Sequence, residues 1–173
     1  MFRDKAAIYQ VAKPYITKRE EKCVLEVLRS GDLSLGPKYK EFEEKFAEFI
    51  GTKYACAVSS GTAGLHLAMI AADIKKGDEV ITTPFSFISS ANCILYAGAK
   101  PVFADVDPVT YNMDPEKIEV KITKKTKAIL VVHIFGQSAD MEPILKLAKK
   151  YCLKIIEDAC ESIGAAYKGK MVG

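Results

Sequence analysis

At 173 residues, with 49% hydrophobic and 27% charged side chains, the chain has enough apolar content for one ordinary domain and too much for a disordered segment. The net charge of +3 is small, arginine is confined to Arg3, Arg19 and Arg29, and the lysines are scattered, which argues against a nucleic-acid partner. No apolar run could span a bilayer and the opening MFRDKAAIYQ has no secretory h-region, so a soluble, cytoplasmic chain without a membrane partner is expected.

Thr17-Lys18-Arg19-Glu20 has the form of a capping box, which predicts a helix from there to about Ser30, with Gly31 as its stop. Leu33 to Pro37 reads as a loop. Tyr39, Phe42, Phe46 and Phe49 recur at helical spacing and predict a second helix, ended by Gly51. An aromatic stripe of this kind is usually a core face. Beyond Gly51 short apolar runs alternate with helical patterns. Strands are predicted at 54–58, 79–82, 101–104, 128–132 and 154–157, with helices at 61–72 and 86–96 between the first three. Asp114-Pro115-Glu116 opens another helix, with Asp at the N-cap, and Asp140 caps the one that carries Ile144, Leu145 and Ala148. Such alternation predicts an α/β fold, a largely parallel sheet covered on both faces in a three-layer sandwich. Without a repeat or Gly/Ser-rich linker, no domain boundary is drawn.

The five cysteines, Cys23, Cys56, Cys93, Cys152 and Cys160, form no C-x-x-C pair and lie far in sequence from His66 and His133. Buried free thiols are expected, without a metal site or a disulfide framework.

Three stretches fall at predicted strand ends, where open α/β sheets collect ligands. Ser59-Ser60-Gly61-Thr62-Ala63-Gly64 joins a strand to a helix. Its small residues admit a close ligand and its helix start favours a phosphate, but an ordinary capped turn has the same residues. Neither a Walker A loop nor G-x-G-x-x-G is present. Thr83-Pro84-Phe85-Ser86-Phe87 brings aromatic rings to the same rim, as a flat plate or as core. Asp158 ends a strand after Ile155 and Ile156 and needs a cation or several donors, from a ligand, a helix cap or a surface ion pair. A phosphate cradle, an aromatic plate and an acid on one rim would suit pyridoxal phosphate (PLP).

SSGTAGLHLAM, GDEVITTPFSFISSANCILYAGAKPVFADVD, VVHIFGQSADM and IIEDACESIGAAYKGKMVG follow one another in an order and spacing that resembles the DegT/DnrJ/EryC1/StrS sugar aminotransferases, PLP enzymes of fold type I. The resemblance runs from about Leu35 to Gly173. It implies that Gly61 and Thr62 hold the cofactor phosphate, that Phe87 stacks on the ring and that Asp158 pairs with the pyridine nitrogen. It places Glu161, where many members carry Gln, near the cofactor hydroxyl. His133, Gln137 and Cys160 receive no chemical role; backbone satisfaction is expected for His133.

The lysine that forms the Schiff base lies, in the family, in an S-F-x-x-x-K type motif downstream of the Asp. Nothing in these residues matches it, so no catalytic residue is assigned here. The resemblance therefore implies that residues 1–173 are the N-terminal part of the large PLP-binding domain, with the lysine motif and the small C-terminal domain elsewhere. The predicted strand at 54–58 would then lack its sheet neighbours. For the whole enzyme the resemblance implies transamination of a nucleotide-linked keto-sugar, with glutamate as donor, by a homodimer. Two alternatives stay open: a sugar dehydratase with His in place of the Lys, and a non-catalytic PLP-binding or regulatory protein.

Overall fold

The computed structural model describes residues 13–173. Helix α1 (Lys18–Ser30) begins with the expected capping box, Thr17 and Glu20 each closing on the other's backbone, and stops at Gly31 with φ 78°. Helix α2 spans Pro37–Ile50 and α3 Gly61–Ala71. Then follow β1 (Glu79–Thr82), α4 (Ser89–Tyr96), β2 (Lys100–Phe103), a one-turn α5 (Pro115–Ile118) and β3 (Thr126–Val132). Helix α6 (Met141–Tyr151) and β4 (Lys154–Asp158) complete the sheet, and β5 (Ala166–Tyr167) with β6 (Lys170–Met171) forms a small antiparallel hairpin.

The sheet order is β2-β1-β3-β4, and every pair is parallel. Alternation along each strand divides the core in two. Val80, Ala128, Leu130 and Ile156 face α3 and α4 through Leu65, Met69, Cys93 and Ile94. Ile81, Ile129 and Val131 face the other way, against Ile118 of α5 and Met141, Ile144 and Ala148 of α6. Both faces of β3 are therefore buried, as the unbroken apolar run Ala-Ile-Leu-Val-Val requires. This is the three-layer α/β arrangement expected from the alternation. Among the described residues no helix is long and apolar enough to cross a membrane.

Three local expectations need correction. Residues 54–58 form no strand, because no neighbouring strand pairs with them. Side chains of α2 serve their backbone instead: Glu43 accepts from the Ala57 N–H at 2.8 Å, and the Tyr39 hydroxyl donates to the Ala57 carbonyl at 3.0 Å. The aromatic stripe of α2 is not core. Phe42 and Phe49 are 53% and 52% exposed, and with Val24, Val27 and Leu28 of α1 they line an open groove of about 610 Å³. Periodicity identifies the apolar face of a helix but not what covers it. The thiols are free, as expected, but only Cys93 is buried.

The turn after β3 is pinned by a buried network. His133 is fully buried, and its Nδ1 accepts the Ala139 N–H at 3.0 Å. Nε2 must therefore carry the proton, which it donates to Glu157 Oε2 at 2.9 Å. The backbone thus satisfies one ring nitrogen and a carboxylate the other. Glu157 also accepts the Gly173 N–H at 3.0 Å, so one side chain joins β3, β4 and the end of the hairpin. The His133 hydrogen bond, more than any other influence, holds the Glu157 carboxyl below its ordinary value of 4.5, against the opposing effect of burial. A carboxyl depressed by folding contributes stability above its unfolded value and loses it as the pH falls through the folded value. Thermal melts of the wild type should fall as the pH drops below about 4.5, and Glu157→Gln should lower the neutral-pH melt and flatten that dependence, so that the two proteins converge at acid pH. Identical pH profiles for the two proteins would contradict this.

Candidate active site

Because β1, β3 and β4 run parallel, Thr82, Val132 and Asp158 arrive at the same edge of the sheet. A cavity of about 410 Å³ opens there, and Gly61, Thr62, Phe87, Asp158 and Glu161 all line it, together with Ser60, Ser86, Ser89 and Cys160. The structure thus places all five residues singled out in the sequence around one space.

One wall is the start of α3. Ser60 is its N-cap, its Oγ accepting the Ala63 N–H at 3.1 Å. The N–H groups of Gly61 and Thr62, in the first turn, have no carbonyl one turn earlier to receive them. They carry the positive end of the helix dipole and can accept an anion. The packing at Gly61 is close: a Cβ there would lie 2.8 Å from Cys160 Sγ and would force that thiol to shift. The Thr62 hydroxyl is 2.7 Å from that of Ser89, which ties α3 to α4.

Asp158 also lines the cavity, its neighbour Cys160 packed against Gly61. Asp158 is only 7% exposed, and among the described residues no cation lies within ion-pair distance of it. Oδ2 accepts from Ser90 Oγ at 2.8 Å and Oδ1 from the Cys160 N–H at 3.3 Å. A buried carboxylate with two neutral donors and no counter-ion is set to receive a cationic N–H from a ligand. Phe87 lines the cavity from the turn before α4, with 72% of its surface exposed. That helix begins at Ser89, three residues later than the pattern predicts, so Ser86 and Phe87 belong to the turn and reach the cavity.

Glu161 occupies the rim. Its Oε2 accepts the N–H of Phe135 at 3.1 Å, and Phe135 adopts a left-handed φ of 56°, uncommon for an aromatic residue. The Phe135 ring meets those of Phe85 and Tyr111 with centroids 5.9 and 6.2 Å away. Cys160 is exposed overall, yet its sulfur is packed toward Gly61 and Asp158. Burial first, then Asp158, pushes its thiol up to about 11, so it stays protonated at neutral pH and is a poor nucleophile. Gln137 is exposed, and His133 lies beneath the rim in the network that holds the turn. Ser86, Ser89 and Ser90 escape sequence reasoning, since serines in a predicted helix carry no distinguishing pattern.

The arrangement suits a flat molecule with an anion at one end and a protonated ring nitrogen at the other. PLP has this form, and the residues present fit it: open N–H groups, a close-packed cradle at Gly61, and an acid without a counter-ion.

The profile of the DegT/DnrJ/EryC1/StrS aminotransferase family matches residues 14–173. GDP-perosamine synthase of Caulobacter vibrioides is 46% identical over 164 residues, 94% of this chain and 44% of that enzyme. The crystal structure of an aminotransferase from Psychrobacter cryohalolentis superposes with a TM-score of 0.90 at 44% identity, covering 92% of this chain and 41% of that one. NtdA of Bacillus subtilis, solved with its cofactor PMP bound, gives a TM-score of 0.84 at 39% identity, over 91% of this chain and 37% of that one. The chain spans less than half the length of these relatives. By sequence match and by fold, it belongs to the DegT/DnrJ/EryC1/StrS aminotransferase family.

Proposed function

We propose that the cavity at the strand ends binds PLP, the cofactor of this family, and that the whole protein transfers an amino group to a nucleotide-linked keto-sugar. The observation that carries the reading is Asp158, a buried carboxylate facing a cavity without a counter-ion. The names of relatives support the substrate class: one is a GDP-perosamine synthase, another a dTDP-3-amino-3,6-dideoxy-alpha-D-galactopyranose transaminase. Glutamate as donor and a homodimeric assembly complete the proposal and follow from the family resemblance.

When bound, PLP supplies an electron sink for a carbon that loses its proton. In this reading Gly61 and Thr62 bind the phosphate at the positive end of α3, and Phe87 covers a ring face. Asp158 holds the proton on the ring nitrogen, and Glu161 borders the ring hydroxyl. The high Cys160 thiol leaves no competing thiolate in the cavity. Among the described residues no lysine lines the cavity; in the family resemblance the Schiff-base lysine belongs to a motif that none of them matches.

Two experiments on the full-length protein test this reading. Asp158→Asn should weaken PLP binding, measured by absorbance titration, by about 10- to 100-fold, the value of a charge-assisted hydrogen bond, and should abolish most transamination. Unchanged affinity and turnover would remove Asp158 from the site. Gly61→Ala should lower stability to urea by about 1–3 kcal/mol through overpacking against the Cys160 sulfur. Adding Cys160→Ala should recover most of that loss; additive effects in the double variant would show that the two residues do not share the contact.

A further inference from the structure

The hydroxyl of Ser90 has a fixed direction. An ionised carboxylate only accepts, so the 2.8 Å contact with Asp158 Oδ2 uses the single Ser90 proton. The 2.8 Å contact between Ser90 and Ser86 must then use the Ser86 proton. The chain runs Ser86 to Ser90 to Asp158, each donor polarising the next. Ser90 is 1% exposed, in the first turn of α4, beside the buried Cys93 and Ile94. Packing alone would be met by alanine, a better helix former. Among the described residues the hydroxyl has Ser86 and Asp158 as its side-chain partners. The preceding residue, Ser89, contacts Thr62 at the start of α3. Two successive residues of α4 thus tie to two groups that line the cavity, one at the helix start of α3 and one at the acid.

We propose that Ser90, oriented by Ser86, is a positioning residue for the cofactor chemistry. It fixes the carboxylate of Asp158 so that the acid can hold the proton on the ring nitrogen. Cys160 contributes the second tie, its N–H on Oδ1 at 3.3 Å, so donors from two different elements set the carboxylate plane. The inference rests on the reading of Asp158 as the partner of that nitrogen. Without Ser90 the carboxylate can turn about its side chain, and the ring nitrogen loses its proton more easily.

The test is the protonation of the ring nitrogen, followed by NMR of ¹⁵N-labelled PLP bound to the full-length protein as the pH is varied. Ser90→Ala should move the loss of the ring proton down by about one pH unit, a tenfold change in the equilibrium. Ser86→Ala, at a half-buried position, should move it in the same direction by less. Turnover should fall in step while KM for the amino donor holds. A Ser90→Ala protein whose ring nitrogen titrates like the wild type overturns the inference, even if it melts earlier or binds PLP more weakly, because a merely structural serine would do that. If Ser90→Ala does not fold, Ser86→Ala decides, and an unshifted titration overturns the inference. A wild-type complex whose ring nitrogen is never protonated overturns the reading of Asp158 itself, a result distinguishable from an unshifted variant.

Discussion

The structure turns on one charge placed where charge is costly. Asp158 ends β4 two residues after the apolar pair Ile155 and Ile156, buried, with two neutral donors and, among the described residues, no cation within ion-pair distance. An isolated carboxylate moved out of water is strongly disfavoured unless it is paired or hydrogen-bonded. Everything around Asp158 addresses that cost in part. Ser90 supplies a proton, the Cys160 backbone supplies another, and the open side of the cavity is left for the rest.

The parallel sheet makes this placement possible. Each strand is reached by a crossover, so successive strands deliver their last residues to the same rim. The start of α4 comes to that rim because it follows the turn after β1, and the start of α3 is held beside it by the Thr62–Ser89 contact. A site with an anion-binding end and an acidic end therefore needs no special construction. It arises from small residues at one turn, an aromatic at the next and an acid at the end of β4. The His133–Glu157 network lies just below and fixes the turn that carries Phe135 against Glu161. Support of the rim is thus separate from the groups that face the cavity.

The same molecule presents unpartnered apolar surface elsewhere. The groove between α1 and α2 exposes Phe42, Phe49, Val24 and Leu28, and residues 54–58 find their hydrogen bonds in α2 side chains instead of a strand. Both features lie away from the buried sheet core. The helices α1 and α2 are locally well specified, by a capping box and by glycine stops, and so they form without being covered.

Much of this was legible in the sequence. Strand and helix alternation, the capping box at Thr17 and the acid after two isoleucines are local signals, and local signals depend only on backbone propensity and periodicity. Of the residues lining the cavity, the turn at Ser60 to Thr62 and Asp158 stood out by local pattern, whereas Phe87 and Glu161 were singled out through the family resemblance and Ser89 not at all. Relations between elements were not legible. Whether the aromatic stripe of α2 would be covered, and whether residues 54–58 would pair, depend on which surfaces meet in space. So does the role of Ser90, a plain helical serine until β4 brings a carboxylate to within 2.8 Å of it from 68 positions away. The sequence by itself determined the helices with strong caps, four of the strands and the acid at the end of β4, because those follow from neighbours along the chain. Only the tertiary structure decided which donors meet the buried acid, because hydrogen bonds between distant residues require positions that propensity does not encode.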